Sequence, residues 1–143
     1  MKLSELIKNL SSYKVYNFKN INIKGISCNS LKIKSGFIFV AIKGERYDGF
    51  KFIPEAISRG AKVIISEILP KERVLPDVTY IHTKNIRQAY SRICAEFYQN
   101  PSKDMKVVGV TGTNGKTTIT YLLEKILKKE KRDSLLMGTI NYR

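Results

Sequence analysis

The chain has 143 residues and a formal net charge of +14, with 26 lysines and arginines against 12 aspartates and glutamates. Its apolar content of 43% is typical of a globular protein, and no stretch approaches the roughly 20 apolar residues that a membrane helix needs. Membrane insertion is therefore not expected. The lysines are scattered, and aromatic residues do not alternate with them as in a surface that binds single-stranded nucleic acid. Hence no nucleic-acid partner is expected either.

The first hundred residues predict a mixed α/β domain. The first predicted element is an amphipathic helix with Leu3, Leu6, Ile7 and Leu10 on one face, followed by strand-like spacing at Ile21, Ile23 and Ile26. A strand over Gly36–Ile42 and a helix over Phe50–Arg59, closed by Gly60, come next. Short strands are then predicted at Val63–Ile65 and Tyr80–His82. The uninterrupted apolar run at 36–42 indicates a strand buried on both faces, as in a parallel sheet.

A helix and a domain boundary follow. Apolar residues keep helical spacing from Ile86 to Tyr98, and Asn85 stands where an N-cap is expected. The polar stretch 99–104 comes next, and its Pro101 cannot continue a helix. We therefore expect one domain over residues 1–104 and the start of another over 105–143.

The second domain opens with a glycine-rich run that is typical of a phosphate-binding loop. An apolar segment at 107–110, predicted as a short buried strand, leads into the run, and apolar residues at helical spacing follow it. The residues expected to hold ATP are Gly112, Thr113, Asn114, Gly115, Lys116, Thr117 and Thr118. Backbone N–H groups and the helix N-terminus attract the phosphates. Lys116 is the catalytic candidate, and the Thr117 hydroxyl is the expected ligand of Mg²⁺.

One position departs from the general loop pattern, because Val110 stands where a glycine is usual. The glycines fall instead at Gly109, Gly112 and Gly115, the spacing of a subclass of this loop. The alternative is an ordinary turn between a strand and a helix.

A second strand is predicted at Ser134–Gly138, which completes one βαβ unit. A single βαβ unit cannot cover both faces of a parallel sheet. The expected fold class is therefore α/β: a small mixed α/β N-terminal domain, then the first βαβ unit of a phosphate-loop ATP-binding domain that is cut short.

Cys28 and Cys94 lack the spacing of metal ligands. Cys94 lies on an apolar helix face, so we expect a buried thiol there. The only histidine, His82, lies in an apolar strand and is interpreted as structural. These features favour a cytoplasmic protein.

With these features together, the chain resembles the N-terminal part of a Mur ligase, over essentially all of its length. More narrowly, it resembles the type that adds the third residue of the peptidoglycan stem peptide. The segments that carry the resemblance are Gly36–Gly49, Phe52-Ile53, Ala56-Ile57, Gly60-Ala61, Ala95–Ser102, the phosphate loop and Met137–Ile140. The phosphate loop alone would also suit folylpolyglutamate synthetases, but the first-domain segments favour the Mur ligases.

The resemblance implies that the first domain holds the UDP end of the substrate. The UDP contacts would fall on Ser30 and on the loop Glu45, Arg46, Tyr47 and Asp48. An arginine and a hydroxyl suit a diphosphate, and a tyrosine suits uracil or ribose. Family members usually carry Asp-Ser-Arg where this chain has Asn29-Ser30-Leu31. A cation expected near the substrate is thus missing, or its role moves to Lys32 or Lys34.

The resemblance also implies the reaction, an ATP- and Mg²⁺-dependent ligation of an amino acid, diaminopimelate or lysine, to UDP-N-acetylmuramoyl-alanyl-glutamate. ATP phosphorylates the terminal carboxylate, and the incoming amino group displaces phosphate. We expect this chain alone to be inactive in that reaction.

Two alternatives stay open at this stage. A non-catalytic nucleotide-binding remnant would bind the UDP substrate without ligation. A nucleotide-dependent protein that binds nucleic acid would show no preference for UDP and would lose binding at high salt.

Overall fold

The computed structural model describes residues 1–69 and 75–138, and the chain divides into two compact units, Met1–Pro101 and Ser102–Arg143. The first unit contains the helices α1 (Leu3–Ile7), α2 (Ile53–Ser58) and α3 (Ile86–Phe97) and the strands β1 (Tyr13–Tyr16), β2 (Gly25–Ser27), β3 (Phe37–Val40), β4 (Ala61–Ser66) and β5 (Thr79–Thr83). Two short 3-10 turns lie at Ser30–Lys32 and Gly49–Phe52. The α/β fold class is confirmed.

The five strands form one sheet in the order β1-β5-β4-β3-β2. β2, β3, β4 and β5 run parallel to one another, and only β1 is antiparallel, pairing with β5. The predicted strands at 36–42, 63–65 and 80–82 are thereby confirmed. β1 was not predicted, because its alternation of half-buried and exposed residues belongs to an edge strand with little apolar signal.

The strand-like spacing at Ile21, Ile23 and Ile26 gives only one strand, β2. The first two of these residues instead join the N-terminal helix region through backbone hydrogen bonds. The Leu3 N–H donates to the Ile21 carbonyl at 3.0 Å, and the Ile23 N–H donates to the Met1 carbonyl at 2.9 Å. The backbone of residues 21–23 therefore helps to hold α1 in place and is not available to form a strand.

Both faces of the sheet are covered, so the first unit has three layers. Ile38 and Val40 of β3 point to the face where α1 and α3 pack, and Phe39 points to the face where α2 packs. All three side chains are fully buried. This alternation explains the uninterrupted apolar run, since a strand buried on both sides has no polar face. Of the predicted amphipathic face, Leu3, Leu6 and Ile7 are buried in α1, whereas Leu10 lies beyond the end of the helix and is half-buried.

The helix predicted from Phe50 begins later, at Ile53, after the 3-10 turn Gly49–Phe52. Pro54 accounts for the start, because proline lacks an N–H and fits the first turn of a helix. The predicted end is confirmed. Gly60 adopts φ +101°, and a Cβ there would stand 2.9 Å from the Ser35 Cα, so glycine is required.

The predicted N-cap of α3 is confirmed. The Asn85 side-chain oxygen accepts a hydrogen bond from the Gln88 N–H at 3.0 Å. Ile86, Ala89 and Ile93 form the buried face of the helix.

The second unit contains the helix α4 (Lys116–Lys129), which begins where the sequence predicts. The predicted strands on either side of α4 are not formed. Residues 107–110 pair with no other described segment of the unit, and within 134–138 only Met137 lies in a β-bridge. Val107 and Val108 are 75% and 67% exposed. A strand needs a hydrogen-bonded neighbour, and the described part of this unit supplies none. Residues 139 and 140, part of the resemblance, lie outside the described residues.

The apolar face of α4 is exposed at Ile119, Leu122 and Ile126. The buried residue of the helix is Glu124, whose carboxylate accepts from the Lys128 ammonium at 2.8 Å. An exposed apolar stripe of this kind is the surface that a sheet covers in a βαβ unit. Across the described ranges, no helix has the length and apolar character to cross a bilayer.

Candidate functional site: the carboxyl edge of the sheet and the phosphate loop

The parallel strands of the first unit end together at one edge of the sheet, which we call the carboxyl edge. β2 ends at Ser27, β3 at Val40, β4 at Ser66 and β5 at Thr83. Ligands of open α/β sheets bind in the crevice outside this edge. The predicted UDP residues lie in the segments that follow β2 and β3. The topology therefore brings both segments to the edge where a ligand is expected.

Ser30 lies in the 3-10 turn after β2 and packs against α2. Only 7% of its surface is exposed. Its hydroxyl donates to the Glu55 Oε2 at 2.8 Å, and the other carboxylate oxygen accepts from the Arg59 Nε at 3.1 Å. These contacts lower the pKa of Glu55, with the hydrogen bond from Ser30 as the largest cause. Ser30 is thus a fixed hydroxyl with its proton engaged.

The neighbouring Asn29 caps the turn that contains Ser30. The Asn29 side-chain oxygen accepts from the Leu31 N–H at 2.9 Å, which caps the turn in the way an aspartate would. Leu31 is 64% exposed. The asparagine therefore closes this turn through its own side chain, and the exposed Leu31 gives the surface beside Ser30 an apolar side chain.

The loop Glu45–Asp48 is held at both ends. The Gly44 N–H donates to the Tyr47 carbonyl at 2.8 Å, and Lys43 and Asp48 form an antiparallel bridge. The Asp48 Oδ1 accepts from the Phe50 N–H at 3.0 Å. Asp48 therefore caps the following turn, which gives its carboxylate a structural partner.

The remaining side chains of this loop face solvent. Glu45 and Arg46 are exposed, and Tyr47 is 72% exposed, with its ring edge-on to Phe52 at 6.4 Å between centroids. Among the described residues, no hydrogen bond joins Ser30 to the loop Glu45–Asp48. Both segments instead adjoin α2, the first through Glu55 and the second through the turn that leads into the helix.

The start of α3, which sequence reasoning missed, also contacts the carboxyl edge. The Arg87 Nη2 donates to the Lys43 carbonyl at 3.4 Å, so α3 contacts the base of the loop. Glu67, just after β4, accepts from the Ile86 N–H at 3.1 Å. Only the parallel strand order, which brings the ends of β3, β4 and β5 to one edge, could have pointed to these residues.

His82 has the structural role that we expected. Its Nε2 lies 3.0 Å from the Glu67 carbonyl oxygen, and since a carbonyl only accepts, this nitrogen donates. Cys94 is half-buried, less than expected, and desolvation raises the pKa of its thiol. Cys28 is exposed.

The predicted phosphate loop turns at two glycines and leads directly into α4. Gly112 and Gly115 have φ +148° and +76°, values that favour glycine. Gly115 is the N-cap of α4, and no side chain caps this helix end. The first N–H groups of a 14-residue helix are thus left without a capping side chain, at the positive end of its dipole. An anion fits there.

Lys116 folds back over the loop. Its Nζ donates to the Gly112 carbonyl and, at 3.2 Å, to the Thr113 carbonyl. All residues from Gly112 to Thr118 are exposed. The ammonium therefore braces the turn through two backbone carbonyls.

The fit of Mg²⁺ can be judged from Thr117, in the first turn of α4. Magnesium in nucleotide sites takes few protein ligands and several oxygens from phosphate and water, so one exposed hydroxyl beside a phosphate loop is adequate. Within the described residues there is no group of three histidine, cysteine or acidic side chains that could hold a metal by itself. The donor set fits a nucleotide-bound cation.

Comparisons with known proteins agree with these features. The family model described as "Mur ligase family, catalytic domain" matches residues 22–98, and the model described as "Mur ligase middle domain" matches 110–143. A UDP-N-acetylmuramoyl-L-alanyl-D-glutamate--2,6-diaminopimelate ligase 2 from Clostridium acetobutylicum is 41% identical, over 99% of this chain and 29% of the relative. The corresponding ligase of Aquifex aeolicus is 45% identical, over 85% of this chain and 24% of its own. The chain thus spans less than a third of either relative.

Solved structures of ligases of this family are also similar to the chain. A UDP-N-acetylmuramoyl-L-alanyl-D-glutamate--2,6-diaminopimelate ligase is 28% identical with a TM-score of 0.63, over 85% of this chain and 24% of that chain. The MurF ligase of Thermotoga maritima, in complex with ADP, is 32% identical with a TM-score of 0.57, over 73% of this chain and 23% of that one.

Proposed function

The chain belongs to the Mur ligase family, and on that premise we propose that it is the N-terminal part of an ATP-dependent ligase of peptidoglycan synthesis. The proposed reaction adds the third amino acid to UDP-N-acetylmuramoyl-alanyl-glutamate. Of the two amino acids expected, we choose diaminopimelate, because the names of the similar proteins specify it. We place the enzyme in the cytoplasm.

We assign residues 1–104 to binding of the UDP end of the substrate and residues 105–143 to the start of the ATP-binding domain. The division of the chain into units at Pro101 and Ser102 supports this boundary. Ser30, Glu45, Arg46, Tyr47 and Asp48 form the proposed UDP site, and the carboxyl-edge position of their segments supports it. Within this group, Asp48 shapes the loop, and Arg46 is the exposed cation available to the diphosphate.

The observation that carries the ATP assignment is the geometry of the phosphate loop. Two glycines at positive φ turn the chain, α4 begins without a side-chain cap, and Lys116 lies over the turn. We propose that Gly112 to Thr118 bind the ATP phosphates. Thr117 would hold Mg²⁺, which spreads charge on the transferred phosphoryl group.

The proposed catalytic role of Lys116 follows from its position. Phosphoryl transfer requires positioning and charge stabilisation with little covalent chemistry from the protein. Because the Lys116 ammonium already donates to carbonyls of the loop, phosphate oxygens would replace those acceptors with only a small movement of the side chain. The lysine would then stabilise charge on the outer phosphates.

The test is ligand mapping by NMR on the 143-residue chain labelled with ¹⁵N. UDP-N-acetylmuramoyl-dipeptide is expected to shift the amides of residues 28–32 and 43–50, and ADP with Mg²⁺ those of residues 111–119. A UDP substrate that shifts only residues of the second unit, or no residue, would refute the site assignment. Lys62, at the start of β4 and so at the opposite edge of the sheet from the carboxyl edge, provides a reporter that neither ligand should move.

A further inference from the structure

We infer that Glu55 is a positioning residue that makes Ser30 a hydrogen-bond acceptor toward the uridine part of the substrate. The inference rests on the proposed function, because it takes Ser30 as part of the UDP site. It goes further in stating which chemical groups of the substrate Ser30 can recognise: an N–H or O–H of uridine, and not a phosphate oxygen.

The geometry fixes the direction of the Ser30 proton. An ionised carboxylate can only accept hydrogen bonds, so the hydroxyl that lies 2.8 Å from the Glu55 Oε2 must donate to it. Arg59 occupies the other carboxylate oxygen through its Nε at 3.1 Å. Both contacts favour the charged form of Glu55, whose pKa is lowered. At neutral pH the carboxylate therefore stays an acceptor.

The position of Ser30 restricts what else it can do. The side chain is buried against α2 with 7% of the residue exposed, and its carbonyl accepts from the Ile33 N–H at 3.1 Å, which closes the turn. The hydroxyl oxygen keeps lone pairs but has no second proton. Any ligand atom that reaches it must therefore bring the hydrogen.

The charge of Glu55 points to the same conclusion. Because the Glu55 carboxylate is hydrogen-bonded to the Ser30 hydroxyl, its negative charge repels a phosphate oxygen placed at that hydroxyl. The same carboxylate polarises the hydroxyl, which strengthens a hydrogen bond that the hydroxyl oxygen accepts from an N–H or O–H group. The donors of uridine are the uracil N3–H and the two ribose hydroxyls. The expectation that this hydroxyl serves the diphosphate is thereby revised, and the exposed Arg46 is the better partner for that group.

The experiment compares four probes, UDP, 3-methyl-UDP, 2′,3′-dideoxy-UDP and inorganic diphosphate, by NMR titration of the 143-residue chain. 3-Methyl-UDP lacks the uracil N–H, and the dideoxy compound lacks both ribose hydroxyls. The variants are Ser30→Ala and Glu55→Gln. Ser58→Ala, on the same helix, is the matched control, because among the described residues its hydroxyl bonds only to the Glu55 backbone carbonyl.

We expect Ser30→Ala to weaken UDP binding about 3- to 10-fold, the effect of one net hydrogen bond. One of the two modified nucleotides should bind the unaltered chain as weakly as UDP binds Ser30→Ala, and should lose nothing further in that variant. This result identifies the donor as uracil or ribose. Inorganic diphosphate should be unaffected.

Glu55→Gln supplies a readout that a purely structural role would not change. A glutamine amide can donate to Ser30, which frees the serine proton to point away. The difference in affinity between UDP and the nucleotide that lacks the donor should then disappear in Glu55→Gln. In Ser58→Ala the difference should remain. A uniform loss for all probes would overturn the positioning role.

Two further results separate the inference from the proposal on which it rests. If UDP binds at the carboxyl edge and Ser30→Ala weakens inorganic diphosphate as much as UDP, the proposed site stands and the inference is wrong. If UDP does not shift residues of the carboxyl edge at all, the proposed UDP site is wrong and the inference falls with it.

Discussion

The Lys116 Nζ lies 3.2 Å from the carbonyl oxygen of Thr113, three residues earlier in the same loop. The lysine therefore fixes the turn from which it would also bind phosphate. One side chain would serve both purposes under the proposed function, because an ammonium has three donors and a bound phosphate would accept some of them. This relationship ties the shape of the loop to its proposed ligand.

The chain alone should catalyse no ligation. Similar ligases are much longer, and the chain spans 29% of the Clostridium acetobutylicum relative. With UDP-N-acetylmuramoyl-dipeptide, diaminopimelate, ATP and Mg²⁺, we expect phosphate release from the purified chain to equal that of the blank. A release rate that depends on the dipeptide substrate would contradict the expectation that this part of the ligase is inactive alone.

Gly49→Ala should destabilise the first unit and disturb the loop before it. A Cβ at residue 49 would stand 2.5 Å from the Ile42 carbonyl oxygen and 2.7 Å from the Ile42 nitrogen. Backbone atoms cannot move aside as the end of a flexible side chain can, so we expect a loss of about 1 to 3 kcal/mol in the free energy of unfolding. Denaturant titration measures it.

Gly44→Ala is the matched control for this change, since the nearest atom to its added Cβ is the Tyr47 carbonyl oxygen at 3.3 Å. The loss should be smaller than for Gly49→Ala. Equal losses would show that the close approach of residue 49 to Ile42 does not determine the stability of the loop.

Asn85→Ala should weaken the start of α3, where the asparagine side chain accepts from the Gln88 N–H at 3.0 Å. Loss of such a cap costs about 1 kcal/mol, which lowers the melting temperature of a unit of this size by about 4 to 8 °C. Ser91→Ala, at an exposed position of the same helix, should leave the melting temperature nearly unchanged. Similar shifts for both variants would rule out a capping role.

The Asp77 carboxyl should titrate below its ordinary pKa. The Lys19 ammonium lies 2.6 Å from its Oδ1, and the hydrogen bond and charge of Lys19 lower the pKa of Asp77, with a smaller contribution from Lys62. The stabilisation is present above the unfolded pKa and disappears as the pH falls through the folded pKa. Its size is small, because both side chains are largely exposed.

NMR titration of the Asp77 carboxyl measures this effect directly. Lys19→Gln should return the pKa to near its ordinary value, and Lys62→Gln should change it less. A larger effect of Lys62→Gln would show that the close ion pair with Lys19 is not the main cause.

The order of elements in the first unit was largely predictable from sequence, and the reason is visible at particular residues. Ile38, Phe39 and Val40 form a continuous apolar run, and only a central strand with both faces covered gives such a pattern. Asn85 and Gly60 mark helix ends through local chemistry, a side-chain acceptor and a positive φ. Signals of this kind act within a few residues and can be read along the chain.

The features that were missed depend on contacts between distant residues. β1 is defined by pairing across 70 residues, Tyr13 with Thr83, and two of its four residues are exposed. The donation from Arg87 to the Lys43 carbonyl likewise requires the strand order to be known. The strand predicted at 107–110 is not formed, although its sequence is apolar. A strand needs a hydrogen-bonded neighbour, and the described part of this unit does not provide one.

The most direct test of the account is whether the chain has two separable nucleotide sites. We would titrate the 143-residue chain and its Lys116→Ala variant calorimetrically, first with ATP and Mg²⁺ and then with UDP-N-acetylmuramoyl-dipeptide. Loss of hydrogen bonds to a charged group predicts that ATP affinity falls at least about 10-fold, while affinity for the UDP substrate stays within error. An equal fall for both ligands, or an unchanged ATP affinity, would contradict the assignment of the two sites.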